Sequence, residues 1–321
     1  MKGLSPTNKP IFSSRRGWAF CLLLWCMAMP ICAQNDPTQV MLADPYILVE
    51  DGTYYAYGTH SADGIECYTS HDLRNWTFRG LALHKDNTTE SRWFWAPEVY
   101  HFGKKYYMYY SGNEHLYVAV ADSPLGPFRQ HGGRMMANTL GDQFCIDSSI
   151  CFDDEGSPWM FFVRNDDGNC IWQVKLESDY MTPIPSTLQK CIAVSAEWED
   201  IWPRVNEGPN VVKHRGMYYL TYSANSYESP DYAVGYATSR SITGPWVKYE
   251  GNPILRRAGG LVGTGHHSLF KDRKGRLRIV FHSHFSTQQI HNRRMFIGSA
   301  KFRGKRLQIN DKSFIRPALV E

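Results

Sequence analysis

Arg204-Val205-Asn206-Glu207-Gly208-Pro209-Asn210-Val211-Val212-Lys213 sets one carboxylate before Gly-Pro and an apolar run. His214-Arg215-Gly216 follows, then Met217-Tyr218-Tyr219-Leu220-Thr221-Tyr222-Ser223. Two apolar runs around a short segment ending in Gly predict strand, tight turn, strand. The pattern recurs. Asp44-Pro45-Tyr46-Ile47-Leu48-Val49 leads over Gly52 into Tyr54–Gly58, and Trp95-Ala96-Pro97-Glu98-Val99-Tyr100 over Gly103 into Tyr106–Ser111. Asp147-Ser148-Ser149-Ile150-Cys151-Phe152 leads over Gly156 into Trp159–Val163, and His266-His267-Ser268-Leu269-Phe270 over Gly275 into Leu277–Ser283.

The turn glycines Gly52, Gly103, Gly156, Gly216 and Gly275 are spaced by 51, 53, 60 and 59 residues. Five hairpin units of near-constant length predict an all-β chain, a five-bladed β-propeller with four antiparallel strands per blade. A second repeat lies between hairpins: Ser70-His71-Asp72-Leu73-Arg74-Asn75-Trp76, Ala121–Phe128 and Thr238–Trp246. Each gives a small polar turn, an apolar residue and an aromatic, and reads as the link between third and fourth strands. No heptad or long helical period is present, which argues against a helix bundle.

Counting back 8 or 9 residues from each turn glycine reaches Asp44, Trp95, Asp147, Glu207 and His266. One register position ahead of the innermost strand is thus expected to hold all five, converging on one end of the axial channel. A single Asp or Glu before a strand is ordinarily a turn or capping residue. Three at one register are harder to explain structurally, because converging like charges raise one another's pKa and burying them costs free energy. The alternative is a central cage for a hard cation, which takes several oxygens.

Residues 1–33 stand apart. Arg15 and Arg16 precede an uncharged apolar segment, 17–29, and Pro30-Ile31-Cys32-Ala33 follows. Basic, apolar, then small is the order of a cleaved secretory signal peptide. The 13 apolar residues fall short of the roughly 20 that span a bilayer. A lipoprotein joined at Cys32 is the weaker alternative, since Ile31 is large for the position before the acceptor. The remaining chain, 34–321, is expected to be one catalytic propeller, secreted or periplasmic, and a monomer. Losing Lys2, Lys9, Arg15 and Arg16 leaves 31 basic against 31 acidic residues. A formally neutral chain removes the electrostatic case for a nucleic-acid partner. Five cysteines remain, Cys67, Cys145, Cys151, Cys170 and Cys191; the odd number leaves at least one free, and no spacing suggests zinc. Aromatics make up 14% of the chain, suited to pleated strands and to stacking on sugar rings.

With Asp-Pro at 44, Trp-Ala-Pro-Glu at 95, Ile146-Asp147-Ser148, Glu-Gly-Pro at 207 and Gly263-Thr264-Gly265-His266-His267-Ser268 in order, the sequence resembles glycoside hydrolase family 43. The resemblance covers nearly all of the chain after the leader. It implies Asp44 as general base, Glu207 as general acid, and Asp147 as the residue that tunes and orients the acid. His266 would sit at the axis, near a calcium or other ion held through waters. The last-blade arginine would be Arg294, with Arg293 its register rival. No required cofactor is implied.

The chemistry supports that division. Inverting hydrolysis needs one carboxylate to activate water and one carboxylic acid to protonate the leaving oxygen, about 6.5–9.5 Å apart. Asp has the lower reference pKa and suits the base; Glu beside another, ionised carboxylate can stay protonated. Trp95, Phe94 and Trp202 are the expected sugar-stacking residues, with Trp198 nearby. The expected substrate is a plant-type polysaccharide or oligosaccharide and the expected activity that of an exo-acting α-L-arabinofuranosidase or an arabinanase-like enzyme. β-Xylosidase and galactofuranosidase are the alternatives within the family, and a non-catalytic glycan- or cation-binding propeller the alternative outside it.

Overall fold

The computed structural model describes residues 38–321; the expected signal peptide and Cys32 lie outside them. Five four-stranded antiparallel sheets follow one another along the chain. Their first strands are Ala43–Glu50, Trp95–Phe102, Cys145–Phe152, Asn206–His214 and Gly265–Lys271. These strands touch one another in ring order, so the architecture is the expected five-bladed propeller. The polar repeats occupy the links between third and fourth strands: Leu73 and Trp76 are buried there, and Asp72 accepts the Arg74 and Asn75 amides.

Hydrophobic side chains fill the wedges between blades. Tyr57, Phe94, Met108 and Phe128 pack blade 1 on blade 2, and Ile47, Trp76, Val280 and Met295 pack blade 5 on blade 1. Chain ends close the ring: Ala318–Leu319 adds a parallel strand outside Asn75–His84, while Met41 bridges to Arg294. All five described cysteines are free thiols. Among the described residues, no helix is long and apolar enough to cross a membrane.

Each first strand carries a one-residue bulge near its start, and the bulged residue has positive φ. These residues are Asp44 (48°), Ala96 (46°), Asp147 (57°), Gly208 (54°) and His266 (41°). Counting from turn glycines therefore slips by one in two blades. Trp95 and Glu207 precede the bulge instead of occupying it. The cause is unequal turns: Glu50 pairs with Thr53, Phe102 with Lys105 and His214 with Met217, but Phe152 with Pro158 and Lys271 with Leu277. Gly103 is also the first residue of its turn, where Gly52 and Gly216 are second.

The slip has a physical consequence. In a regular strand, neighbouring side chains face opposite sides. A bulge re-aims the local side chains, and here Glu207 and Trp95 reach the same cavity as the bulged Asp44, Asp147 and His266.

Candidate active site

The bulges also tie blade to blade. The residue paired opposite each pre-bulge position is Thr59, Ser111, Val163, Ser223 or His282. Four of these accept the bulge amide of the next blade: Ala96 N–H to Thr59 Oγ1 (3.0 Å), Asp147 to Ser111 Oγ (3.1 Å), His266 to Ser223 Oγ (2.8 Å) and Asp44 to His282 Nδ1 (3.1 Å). Val163 has no acceptor. The fifth amide, Gly208 N–H, goes instead to the Asp147 carboxylate, Oδ2 at 3.1 Å.

A cavity of about 490 Å³ opens above this ring, within the size range of small-ligand sites. Asp44, Asp147, Glu207, His266 and Trp95 line it, with His60, Asn169, Tyr227, His291 and Arg293. Asp44, Asp147 and Glu207 are all nearly inaccessible to solvent.

Their environments pull them apart. Burial works to raise the Asp44 carboxyl, but Arg293, His266 and His282 outweigh it and hold Asp44 well below the ordinary range. The Arg293 guanidinium donates to Asp44 Oδ1 at 2.9 Å. His266 Nδ1 lies 3.3 Å from the same oxygen. Burial lowers the pKa of His266, so near neutral pH its ring is uncharged and Arg293 is the cation that matters. His282, pushed down to about 3 by burial and by Arg293, is likewise neutral and free to accept the Asp44 amide.

Glu207 moves the other way. Burial, with repulsion from Asp44, raises it to about 7 against the Tyr232 hydrogen bond that lowers it. Tyr232 Oη donates to Glu207 Oε1 at 2.7 Å. Asp147 is also raised well above the usual range, by burial and then by Glu207 and Asp44. The sequence reading has Asp147 as an ionised neighbour of Glu207; here Asp147 competes for the same proton. The two carboxyls share it as a pair.

Several expected contacts fall elsewhere. Phe94 is 1% exposed and packs on Tyr110 in the blade 1–2 wedge, because the strand start turns it away from the cavity. Trp202 is 84% exposed and does not line the cavity, although its neighbour Pro203 does. Trp198 packs on Tyr222. Arg294 points into the sheet: its Nε donates to the His284 carbonyl at 3.2 Å, and Arg293, one residue earlier, takes the cavity. Strand alternation decides between the two arginines, and the sequence motif does not fix its phase. Trp95 does line the cavity, extended outward by Trp93 stacked on it at 5.7 Å.

Tyr232, His282 and Asn169 escaped the sequence reading. His282 could have been found, since it occupies the second-strand position held elsewhere by Thr59, Ser111 and Ser223. Tyr232 has no such signal.

An axial calcium would need a set of oxygen donors converging on the channel. Among the described residues, no three His, Cys, Asp or Glu side chains are grouped to hold a metal. Beneath the floor the axial space is only about 10 Å³, room for one water. Calcium takes roughly six to eight oxygens, and the donor His266 Nδ1 is already directed at Asp44. The side chains alone do not cage a calcium; the ion expected near His266 is one held through waters, and no chemical step is assigned to it.

The cavity thus contrasts a firmly ionised Asp44 with a carboxyl pair that retains a proton. Residues 34–305 match the family described as glycosyl hydrolases family 43. The chain belongs to that family. It is a glycosidase, hydrolysing glycosidic bonds. Among similar solved structures, one described as an endo-1,4-β-xylanase from Bacteroides thetaiotaomicron is 40% identical, with TM-score 0.84 over 88% of this chain and 98% of its own. A thermostable family 43 glycoside hydrolase is 33% identical, with TM-score 0.77 over 84% of this chain and 92% of its own. The extracellular endo-α-(1→5)-L-arabinanase 1 of Bacillus subtilis is 26% identical over 70% of this chain and 73% of its own.

Proposed function

We propose that this family 43 chain is an exported, inverting, exo-acting α-L-arabinofuranosidase. Asp44 is the general base that takes a proton from water. Glu207 is the general acid that protonates the leaving oxygen. Asp147 shares the proton of Glu207 and keeps that carboxyl supplied near neutrality. The opposed pKa displacements of Asp44 and Glu207 in one cavity carry this reading, because acid and base must be separately poised at one pH. Arg293 keeps the base ionised, and neutral His266 fixes it in place. Trp95 supplies an apolar wall for a sugar ring. Extracellular arabinan-acting relatives such as the B. subtilis arabinanase support both the sugar and the export.

Aryl α-L-arabinofuranosides test the proposal. Asp44→Asn and Glu207→Gln are each expected to abolish release while melting as folded proteins. Proton NMR at early times is expected to show the inverted anomer. Activity retained in either variant, or a retained anomer, overturns the assignment. A second reading, a β-xylosidase or xylan-directed enzyme, has a specific observation behind it: the 40% identical structure described as a xylanase. Faster release from the aryl β-xyloside would select it.

A further inference from the structure

His60 lines the same cavity just after the second strand of blade 1, Thr53–Thr59, and no catalytic step uses it. Its ring is oriented from behind. His60 Nδ1 lies 3.0 Å from Glu66 Oε1, and Tyr68 Oη donates to Glu66 Oε2 at 2.6 Å. Glu66 is 8% exposed and Tyr68 5%, and neither lines the cavity. Glu66 thus has both oxygens engaged, and His60 is its one cationic partner among the described residues. A buried carboxylate without a cation is costly, which favours the imidazolium. The pKa of His60 is accordingly raised, by the Glu66 hydrogen bond against a smaller opposing effect of burial. No other titratable group contributes to that shift.

Anchoring Nδ1 on Glu66 directs the opposite ring nitrogen away from Glu66. His60 keeps about a third of its side chain exposed, and Nε2 has no protein partner among the described residues. The carboxylate on Nδ1 fixes the ring orientation, and in the imidazolium the opposite nitrogen carries a free N–H aimed as a donor. We propose that His60 is a substrate-binding residue, whose Nε2–H donates to a hydroxyl oxygen of a neutral sugar, and that Glu66 and Tyr68 are positioning residues acting through it. A neutral sugar is the ligand favoured here. The cavity also holds ionised Asp44 and the Asp147–Glu207 pair, and its cation Arg293 is already bonded to Asp44, so an acidic substituent would meet further carboxyls with no second arginine to pair with.

The inference rests on the sugar-binding reading of this cavity, and its test is kept separate from turnover. Binding of an arabino-oligosaccharide, a xylo-oligosaccharide and a uronate-bearing oligosaccharide is measured by titration calorimetry in the Glu207→Gln protein. Adding His60→Phe is expected to weaken binding of the preferred neutral sugar about tenfold, the size of one charge-assisted hydrogen bond. The pair Glu66→Leu with Tyr68→Phe removes both buried polar partners together. It is expected to reproduce most of that loss without touching ligand. Lowering the pH from 8 to 6 is expected to tighten binding in the parent and not to do so in His60→Phe. Unchanged binding in His60→Phe overturns the proposal. Loss in His60→Phe but not in the Glu66/Tyr68 pair overturns the positioning role. Preference for the uronate overturns the ligand class, as does failure of every oligosaccharide to bind the parent. Rapid turnover by Glu207→Gln would sink the acid assignment while the His60 comparison still reads out.

Discussion

Asp147 Oδ2 accepts the backbone N–H of Gly208 at 3.1 Å, across the boundary between blades 3 and 4. In the other four blades a Thr, Ser, Ser or His side chain does this work, and Val163 leaves the position open. A structural hydrogen bond of the ring has thus been moved onto a carboxyl that also shares a proton with Glu207. Asn at 147 keeps an acceptor for Gly208 but cannot ionise. The mutual repulsion that resists loss of the pair's last proton is then gone, while repulsion from Asp44 stays. The alkaline limb of the kcat profile in Asp147→Asn is expected about one pH unit below wild type. Asp147→Ala also leaves the amide unpaired and is expected to cost about 1–3 kcal/mol in denaturant unfolding.

Tyr232 predicts a shift of opposite sign. Its hydroxyl donates to Glu207 Oε1 and lowers the pKa of that carboxyl, because a donor favours the ionised form. Tyr232→Phe removes the donor, so the alkaline limb is expected to rise above the value near 7. The ring stacks on His282 and would meet any side chain added at Gly265, whose Cβ would lie 2.3 Å from Tyr232 Cε1. Gly265→Ala is therefore expected to lower kcat by displacing the same hydroxyl. Both profiles are read from initial rates between pH 5 and 9.

The raised acid should weaken the fold as pH rises. Folded Glu207 titrates near 7 against an ordinary value of 4.5. Between these values the folded state binds more protons than the unfolded chain, so stability falls with rising pH. The contribution is complete below the unfolded pKa and lost as pH passes through 7. Glu207→Gln keeps the shape and drops the titration. Its Tm relative to wild type is expected to be higher at pH 8 than at pH 5, with a ceiling of about 3 kcal/mol. An equal difference at both pH values would show that Glu207 is not held protonated.

Much of this was legible in the sequence, and the failures have a common origin. Blade number and strand order follow from turn glycines and apolar runs, which are local signals. Asp44, Asp147, Glu207 and His266 were found because repetition aligned them. The one-residue slip at Trp95 and Glu207 came from treating a two-residue turn and a five-residue turn as equal rulers. Phe94 and Trp202 were misplaced for a related reason. Side-chain direction next to a bulge depends on backbone dihedrals that residue type does not announce. Tyr232 and the Glu66–Tyr68 support of His60 are contacts set by tertiary packing, with no periodic trace.

The arginine pair gives the sharpest separation of site from scaffold. Arg293 and Arg294 are adjacent, yet Arg293 bonds Asp44 and Arg294 bonds a backbone carbonyl between Phe285 and Phe296. Arg293→Met removes the cation that holds Asp44 low. The Asp44 pKa then rises, so the acidic limb of kcat/KM is expected to move to higher pH. Asp44 is a depressed carboxyl, whose stabilising contribution exists above its unfolded pKa and is lost on acidification; Arg293→Met is expected to erase that contribution. Leaving a buried carboxylate unpaired costs about 3–5 kcal/mol at neutral pH. Arg294→Met loses one buried hydrogen bond and some packing. It is expected to cost about 1–3 kcal/mol with both limbs of the profile unmoved. Paired pH profiles and melting curves distinguish them, and an acidic limb that moves in Arg294→Met and not in Arg293→Met would reverse the assignment.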